Sequence, residues 1–253
     1  MPAKKLHCFL MIFILIGIIF VCGCEMIKKS DASKELTIKD IAFDTNKKYG
    51  YTVYIEEGSG FAPYLVLTSD YNGHTLLLRK ELLNEAYIFD EDSGYYRDSS
   101  IDIFLNNDFI AILDPSIQNA IVDTDITITA ESNSSSIETN TEIIPRKVFL
   151  LSYTEVGLSG SELANEEGRA LKYFEGMDSR IAYLDKEASS WWLRTSYTWY
   201  DNTAWGISPE GGGGGGGVNY ENGVRPAFCL ENTVLIEESD KVIEGKTVYV
   251  IGK

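Results

Sequence analysis

The sequence predicts an α+β domain, and three observations carry that expectation. Short apolar runs broken by glycine and Asn-Gly turns fill residues 51–80, apolar residues at helical spacing follow from Ile101, and strand-like aromatic segments return after Trp191. Strands first, helices in the middle and strands last are the order of an α+β fold, and no internal repeat or second boundary interrupts it.

Lys4 and Lys5 precede an apolar run over residues 9–21, which ends at Cys22, Gly23 and Cys24. The run is too short to span a hydrocarbon core of about 30 Å comfortably, and with its basic flank it reads as an export signal over residues 1–23. An uncleaved anchor or an ordinary signal peptide is the alternative. Residues 25–49 alternate lysine with acids and read as a tether, so residues 50–253 are expected to form the single domain. Within it, the runs at 51–55, 64–67 and 76–78 predict three meandering strands, with Asn72-Gly73 as a hairpin turn. Ser99-Ser100 leads Ile101, Phe104, Leu105, Phe109 and Ile112, the apolar face of a helix. Asp114-Pro115 offers a cap and a first-turn proline for a second short helix ending near Ile121. Alternation at Ile126, Ile128 and Ala130 predicts a strand, residues 131–142 a polar loop, and residues 148–151 a buried strand. Ser152 and Glu155 have capping-box spacing. Residues 161–188, with Leu163, Leu171, Phe174, Ile181 and Leu184 as apolar contacts, read as partly helical.

The formal net charge is −16, and from Gly50 onward there are 14 basic against 33 acidic residues. A nucleic-acid partner is excluded by the lack of any clustered basic surface. Hydrophobic residues at 44% and charged residues at 24% exclude a disordered acidic tail. After loss of the signal only His74, Cys24 and Cys229 remain of the histidines and cysteines. That rules out a zinc site built from Cys and His, and a disulfide within the domain is not expected. His74 adjoins the Asn-Gly turn and reads as an exposed hairpin residue, Cys229 as a small core hydrophobe.

All four tryptophans lie within residues 191–205. Strand alternation puts Trp191, Leu193 and Thr195 on one face and Trp192 and Arg194 on the other, and both tryptophans are read as core. Trp199, Tyr200 and Trp205 sit among polar residues, where aromatic rings serve equally as core or as a stacking surface. The glycine run over residues 211–217 formally contains G-x-G-x-x-G. It is read as a flexible loop rather than a phosphate loop, because no helix start and no Gly-Lys-Ser/Thr come after it.

Trp192-Leu193-Arg194-Thr195 followed by Gly223-Val224-Arg225-Pro226-Ala227-Phe228 resembles the closing signature of a family of bacterial surface proteins, the domain of unknown function 6273. The segment Tyr95-Tyr96-Arg97-Asp98-Ser99-Ser100 through Leu105-Asn106-Asn107-Asp108-Phe109 is similar to that family's helix segment. Lys147 to Ser152 with Glu155 is similar to its central strand. Tyr96 stands where the family usually has tryptophan, and Thr195-Ser196 replaces its Ser-Pro. More distantly, the two arginine motifs resemble the C-type-lectin-like and formylglycine-generating-enzyme-like fold. That likeness implies a compact domain with a twisted antiparallel sheet, two or more helices and long loops. The oxidase chemistry of the latter needs paired cysteines, which this chain lacks. Val21-Cys22-Gly23-Cys24 resembles the lipobox of bacterial lipoproteins, which implies lipidation of Cys24, residues 24–49 as a lipidated tether, and an extracytoplasmic body held at the cell membrane.

The function expected is that of a non-enzymatic surface binding module. Its ligand, a glycan, wall polymer or protein, would meet Trp199, Tyr200, Asp201, Asn202, Trp205, Asn219 and Glu221, since sugars are recognised by ring faces together with planar amide and carboxylate groups. No cofactor is expected. Ca²⁺ is a minor option for the oxygen donors, because no EF-hand spacing is present. The alternatives are a hydrolase using paired carboxylates on extracellular polysaccharide and a purely structural or assembly domain. Trp191, Trp192, Arg194 and Arg225 are assigned structural roles, the two arginines as interior partners of carboxylates.

Overall fold

The computed structural model describes residues 35–45, 50–58, 60–131, 140–243 and 246–251. The segment read as an export signal, Cys24, the first part of the stretch read as tether and most of the 131–142 loop lie outside the described residues. Glu35–Lys253 form one unit.

Strands β1 (Thr52–Glu57), β2 (Gly60–Tyr71) and β3 (His74–Arg79) make the expected meander. Asn72 and Gly73 take φ of 51° and 87°, the left-handed pair that closes a two-residue hairpin, with Tyr71 facing His74 across it. Helix α1 begins at Ser100–Phe104, where the Ser99 side chain accepts from the Asp102 amide. It widens into a π segment at Leu105–Phe109 and ends in the turn Ile110–Ile112. The wider π turn rotates this last turn, so Ile112 faces solvent and the next residue, Leu113, is the buried one. Asp114 caps helix α2 (Pro115–Ala120) by accepting from the Ser116 amide, with proline in the first turn as its chemistry requires.

β4 (Thr124–Thr129) pairs with β5 (Thr141–Arg146), and β6 is the short Val148–Phe149. β7 (Ala182–Leu184) and β8 (Glu187–Ser189) form a hairpin. β9 (Trp191–Ser196), β10 (Thr203–Ile207) and β11 (Gly213–Gly217) form a three-stranded antiparallel sheet. β12 (Ala227–Leu230), β13 (Ile236–Ile243) and β14 (Lys246–Ile251) complete a seven-stranded sheet ordered β13-β14-β1-β2-β3-β12-β6, in which only β1 and β14 run parallel. Asn106 finishes the β6 edge as a peptide would, accepting from the Val148 amide (3.1 Å) and donating to the Val148 carbonyl (2.9 Å).

Three expectations need correction. The class is all-β rather than α+β with two or more helices: strands make up 41% against 16% helical, and among the described residues there is one helix of 13 residues beside the short α2. Residues 161–188 are turns, two 3₁₀ segments (Lys172–Phe174 and Met177–Arg180) and the β7–β8 hairpin. Their apolar residues are too widely spaced to line a helix, and Leu171 and Phe174 reach the core singly. The glycine run is ordered as a strand. In addition, part of the stretch read as tether is built into the body: Ile38, Ile41 and Ala42 are fully buried around the 3₁₀ turn Ile38–Ile41, and the Ile38 amide donates to Val234.

Candidate functional site

Strand β9 is buried along its whole length, which makes it the anchor of the region. The Trp191 indole donates to the Arg180 carbonyl (3.0 Å) and that of Trp192 to the Tyr87 carbonyl (2.9 Å), so both rings are core with their one polar group satisfied.

Arg194 lies between two carboxylates that are themselves sealed from solvent. Its guanidinium grips Glu155 through two nitrogens (2.7 and 2.9 Å), donates to the carbonyls of Leu150 and Thr127, and has Glu167 at 3.7 Å. Burial is the largest influence and would weaken the arginine's hold on its proton, but the charge and hydrogen bonds of Glu155 together with Tyr71 and Glu167 outweigh it, and the pKa is raised. Glu155 also accepts from the Tyr71 hydroxyl (2.5 Å) and the Ser152 amide (3.0 Å), while the Ser152 hydroxyl accepts from the Glu155 amide. This is the capping-box geometry, here closing an isolated turn. Glu167 accepts from the Thr129 amide and hydroxyl (2.7 Å each) and the Thr195 hydroxyl (2.8 Å). Burial still pushes its carboxyl above the ordinary range, against the pull of Arg194 and the two threonines. Beside this network opens a cleft of about 310 Å³ lined by Asp70, Tyr71, Asp125, Thr127, Glu155 and Arg169.

Arg225 departs from the expected carboxylate pairing. It is buried, donates from Nε to the Arg79 carbonyl (2.9 Å) and sits 5.1 Å from the Trp191 ring centroid, while its Nη1 has no hydrogen-bond partner. Burial lowers its pKa to about 10. Its role is packing in the interior against an aromatic face.

The expected ligand-facing residues gather at one end of the three-stranded sheet. The β9–β10 turn, residues 197–202, and the segment after β11, residues 218–222, emerge at the same end, and the Val218 amide donates to the Asn202 carbonyl (3.0 Å). Rings run from core to surface: Tyr153 to Trp205 (4.5 Å), Trp205 to Tyr197 (4.8 Å) and Tyr197 to Tyr200 (5.9 Å). Trp205 is only 7% exposed, and its indole donates to the Leu163 carbonyl (2.8 Å). It therefore supports the platform from beneath and is removed from the ligand-facing set. Trp199 and Tyr200 are 50% and 56% exposed, and Trp199 holds φ at 81°. Asp201, Asn202, Asn219 and Glu221 are exposed around them. Among the described residues no group of His, Cys, Asp or Glu gathers as metal ligands would.

Tyr220 was missed. It is 73% exposed, its amide donates to the Gly217 carbonyl, and its ring lies where a Gly217 side chain would stand. Its position between Asn219 and Glu221, both expected at the surface, was the available signal.

Residues 72–232 match the family described as Domain of unknown function (DUF6273), and the chain belongs to that family. No curated protein and no solved structure matches it, so a lectin-like relationship rests on the two arginine motifs alone.

Proposed function

We propose that this DUF6273 member is a non-enzymatic binding module, lipid-anchored through Cys24 on the extracytoplasmic face of the cell membrane, whose ring platform holds a glycan or wall polymer. The observation that carries the reading is Trp199: a bulky side chain half exposed at positive φ, a backbone state that costs about 1–3 kcal/mol outside glycine. Strain of that kind persists where the surroundings impose it, and here it turns an indole outward beside Tyr200 and Tyr220. Exposed rings offer stacking faces to sugars, and Asp201, Asn202, Asn219 and Glu221 offer the planar polar groups that bond to hydroxyls. The hydrolase reading ranks second because the two best-buried carboxylates, Glu155 and Glu167, are occupied with Arg194, Tyr71 and the threonines.

Glycan arrays and pull-downs with insoluble wall polysaccharide test the platform. The full chain in detergent is expected to bind, and Trp199→Ala, Tyr200→Ala and Tyr220→Ala combined to lose about tenfold or more in affinity, given roughly 0.5–1.5 kcal/mol per stacked ring. Trp199→Ala and Tyr200→Ala are expected to leave the thermal midpoint nearly unchanged, and Tyr220→Ala to lower it slightly, because its ring packs over Gly217. Binding untouched by the triple substitution removes the platform from the function.

A further inference from the structure

The three-stranded sheet ends on β11, whose far side carries no strand among the described residues. The register decides which of its backbone groups face outward. The Ser208 amide donates to Gly212 O (2.7 Å) and the Val218 amide to Asn202 O (3.0 Å), so these are hydrogen-bonded rungs just beyond each end of the β10–β11 ladder. Rungs alternate in an antiparallel pair, so Gly214 and Gly216 bond to β10 while Gly213, Gly215 and Gly217 turn their amides away from it. The Gly217 carbonyl is taken by the Tyr220 amide. The amides and carbonyls of Gly213 and Gly215 and the Gly217 amide are thus left along an edge about 17 Å long.

Such an edge is ordinarily blunted by lysine, proline, a bulge or a covering loop, and this one has none of the first three within Gly213–Gly217. The chain on either side of it carries acids only, and the cation that reaches the hairpin, Arg180, is buried and donates to the Gly211 carbonyl. No lysine or arginine occurs between Arg194 and Arg225, whereas Asp201 and Glu221 are exposed at one end of the strand and Glu210 at the other. The rings of Tyr197 and Tyr220 flank Gly215 and Gly217, with Leu158 at Gly213, so apolar groups border the edge on one face.

We propose that β11 is a strand-addition site for an extended, lysine- or arginine-flanked peptide with apolar residues at its centre. Main-chain bonds to Gly213 and Gly215 supply the pairing, and Asp201, Glu210 and Glu221 select the basic flanks. A second copy of this chain is disfavoured as occupant by its own −16 charge. The proposal does not depend on the glycan platform.

The probe is a ten-residue peptide of alternating valine and tyrosine flanked by lysines, added to the full chain in detergent. Two versions carry N-methyl groups on alternate residues, one set in each. Strand addition presents only one set to β11, so the two versions are expected to differ at least tenfold in affinity. Peptide is also expected to slow hydrogen exchange at the Gly213 and Gly215 amides. Gly214→Lys, whose side chain meets open space, is expected to weaken binding, and Trp199→Ala with Tyr200→Ala to leave it unchanged. Equal affinity of the two methylated peptides, unaltered exchange at Gly213 and Gly215, or loss of peptide binding in the Trp199 and Tyr200 variant overturns the proposal. So does concentration-dependent protection of those amides without peptide, which would make a second copy the occupant.

Discussion

Arg194 and Arg225 are both sealed from solvent yet meet different surroundings. Arg194→Met would strand the Glu155 and Glu167 carboxylates without their cation, and breaking a buried pair in this way costs about 3–5 kcal/mol. Arg225→Met strands no carboxylate, removes a guanidinium with an unbonded nitrogen, and is expected to cost less than half as much. Urea denaturation of the two variants checks this, and equal losses would show that Arg225 has a charged partner after all. Glu167 adds a pH dependence. Burial holds its folded pKa above the ordinary 4.5, so across that window the unfolded chain has released a proton that the folded chain keeps. Its contribution to stability therefore falls as the pH rises from 4.5 through the raised value, and is constant below 4.5, where both states are protonated. The stability difference between the natural chain and Glu167→Gln, measured from about pH 4 to 8, is expected to decline with pH, and a flat or rising difference contradicts it. An acidic domain with arginine on its strands pointed to interior carboxylate partners for Arg194 and Arg225 alike, which Arg194 has and Arg225 lacks. The sequence could not distinguish their environments, because Glu155, Glu167 and Trp191 reach them from different elements.

At the scale of elements, β11 shows how a strand can form without side chains of its own. Glycine weakens a strand by entropy, and here the neighbours supply the packing: Tyr197 lies over Gly215, Trp192 against Gly216 and Tyr220 over Gly217. A Cβ at Gly215 would stand 2.7 Å from the Tyr197 ring, whereas one at Gly214 meets nothing within 4 Å. Gly215→Val is therefore expected to cost about 1–3 kcal/mol through overpacking, and Gly214→Val to be neutral or stabilising. Thermal denaturation separates them, and equal midpoints would mean that the rings do not rest on the strand. Seven glycines read from sequence alone contain no period and so resemble a linker. The helix shows the converse. Ser99 and the spacing of Ile101, Leu105 and Phe109 marked its start and face, but the π segment that moves Ile112 outward leaves no signal in that spacing.

For the whole molecule, the acidity lies in the folded body and the proposed anchor lies outside the described residues. Fatty-acid labelling in the producing cell is expected to mark the natural chain and not Cys24→Ser, and label retained by that variant would refute anchoring through Cys24. Local chemistry determined the Asn72-Gly73 turn, the Ser99 and Asp114 caps and the burial of Trp191 and Trp192, since each depends on a few neighbouring residues or on side-chain size. Only the tertiary structure decided that the body is all-β, that the glycine run is a strand, that Trp205 lies inside while Trp199 and Tyr220 lie outside, and that Ile38 and Ile41 belong to the core. The physical reason is that a strand acquires its identity from the partner that bonds to it, and a ring its burial from the groups that pack on it. Both partners come from distant parts of the chain, as when the Trp205 indole meets the Leu163 carbonyl or Thr37 bridges to Leu235.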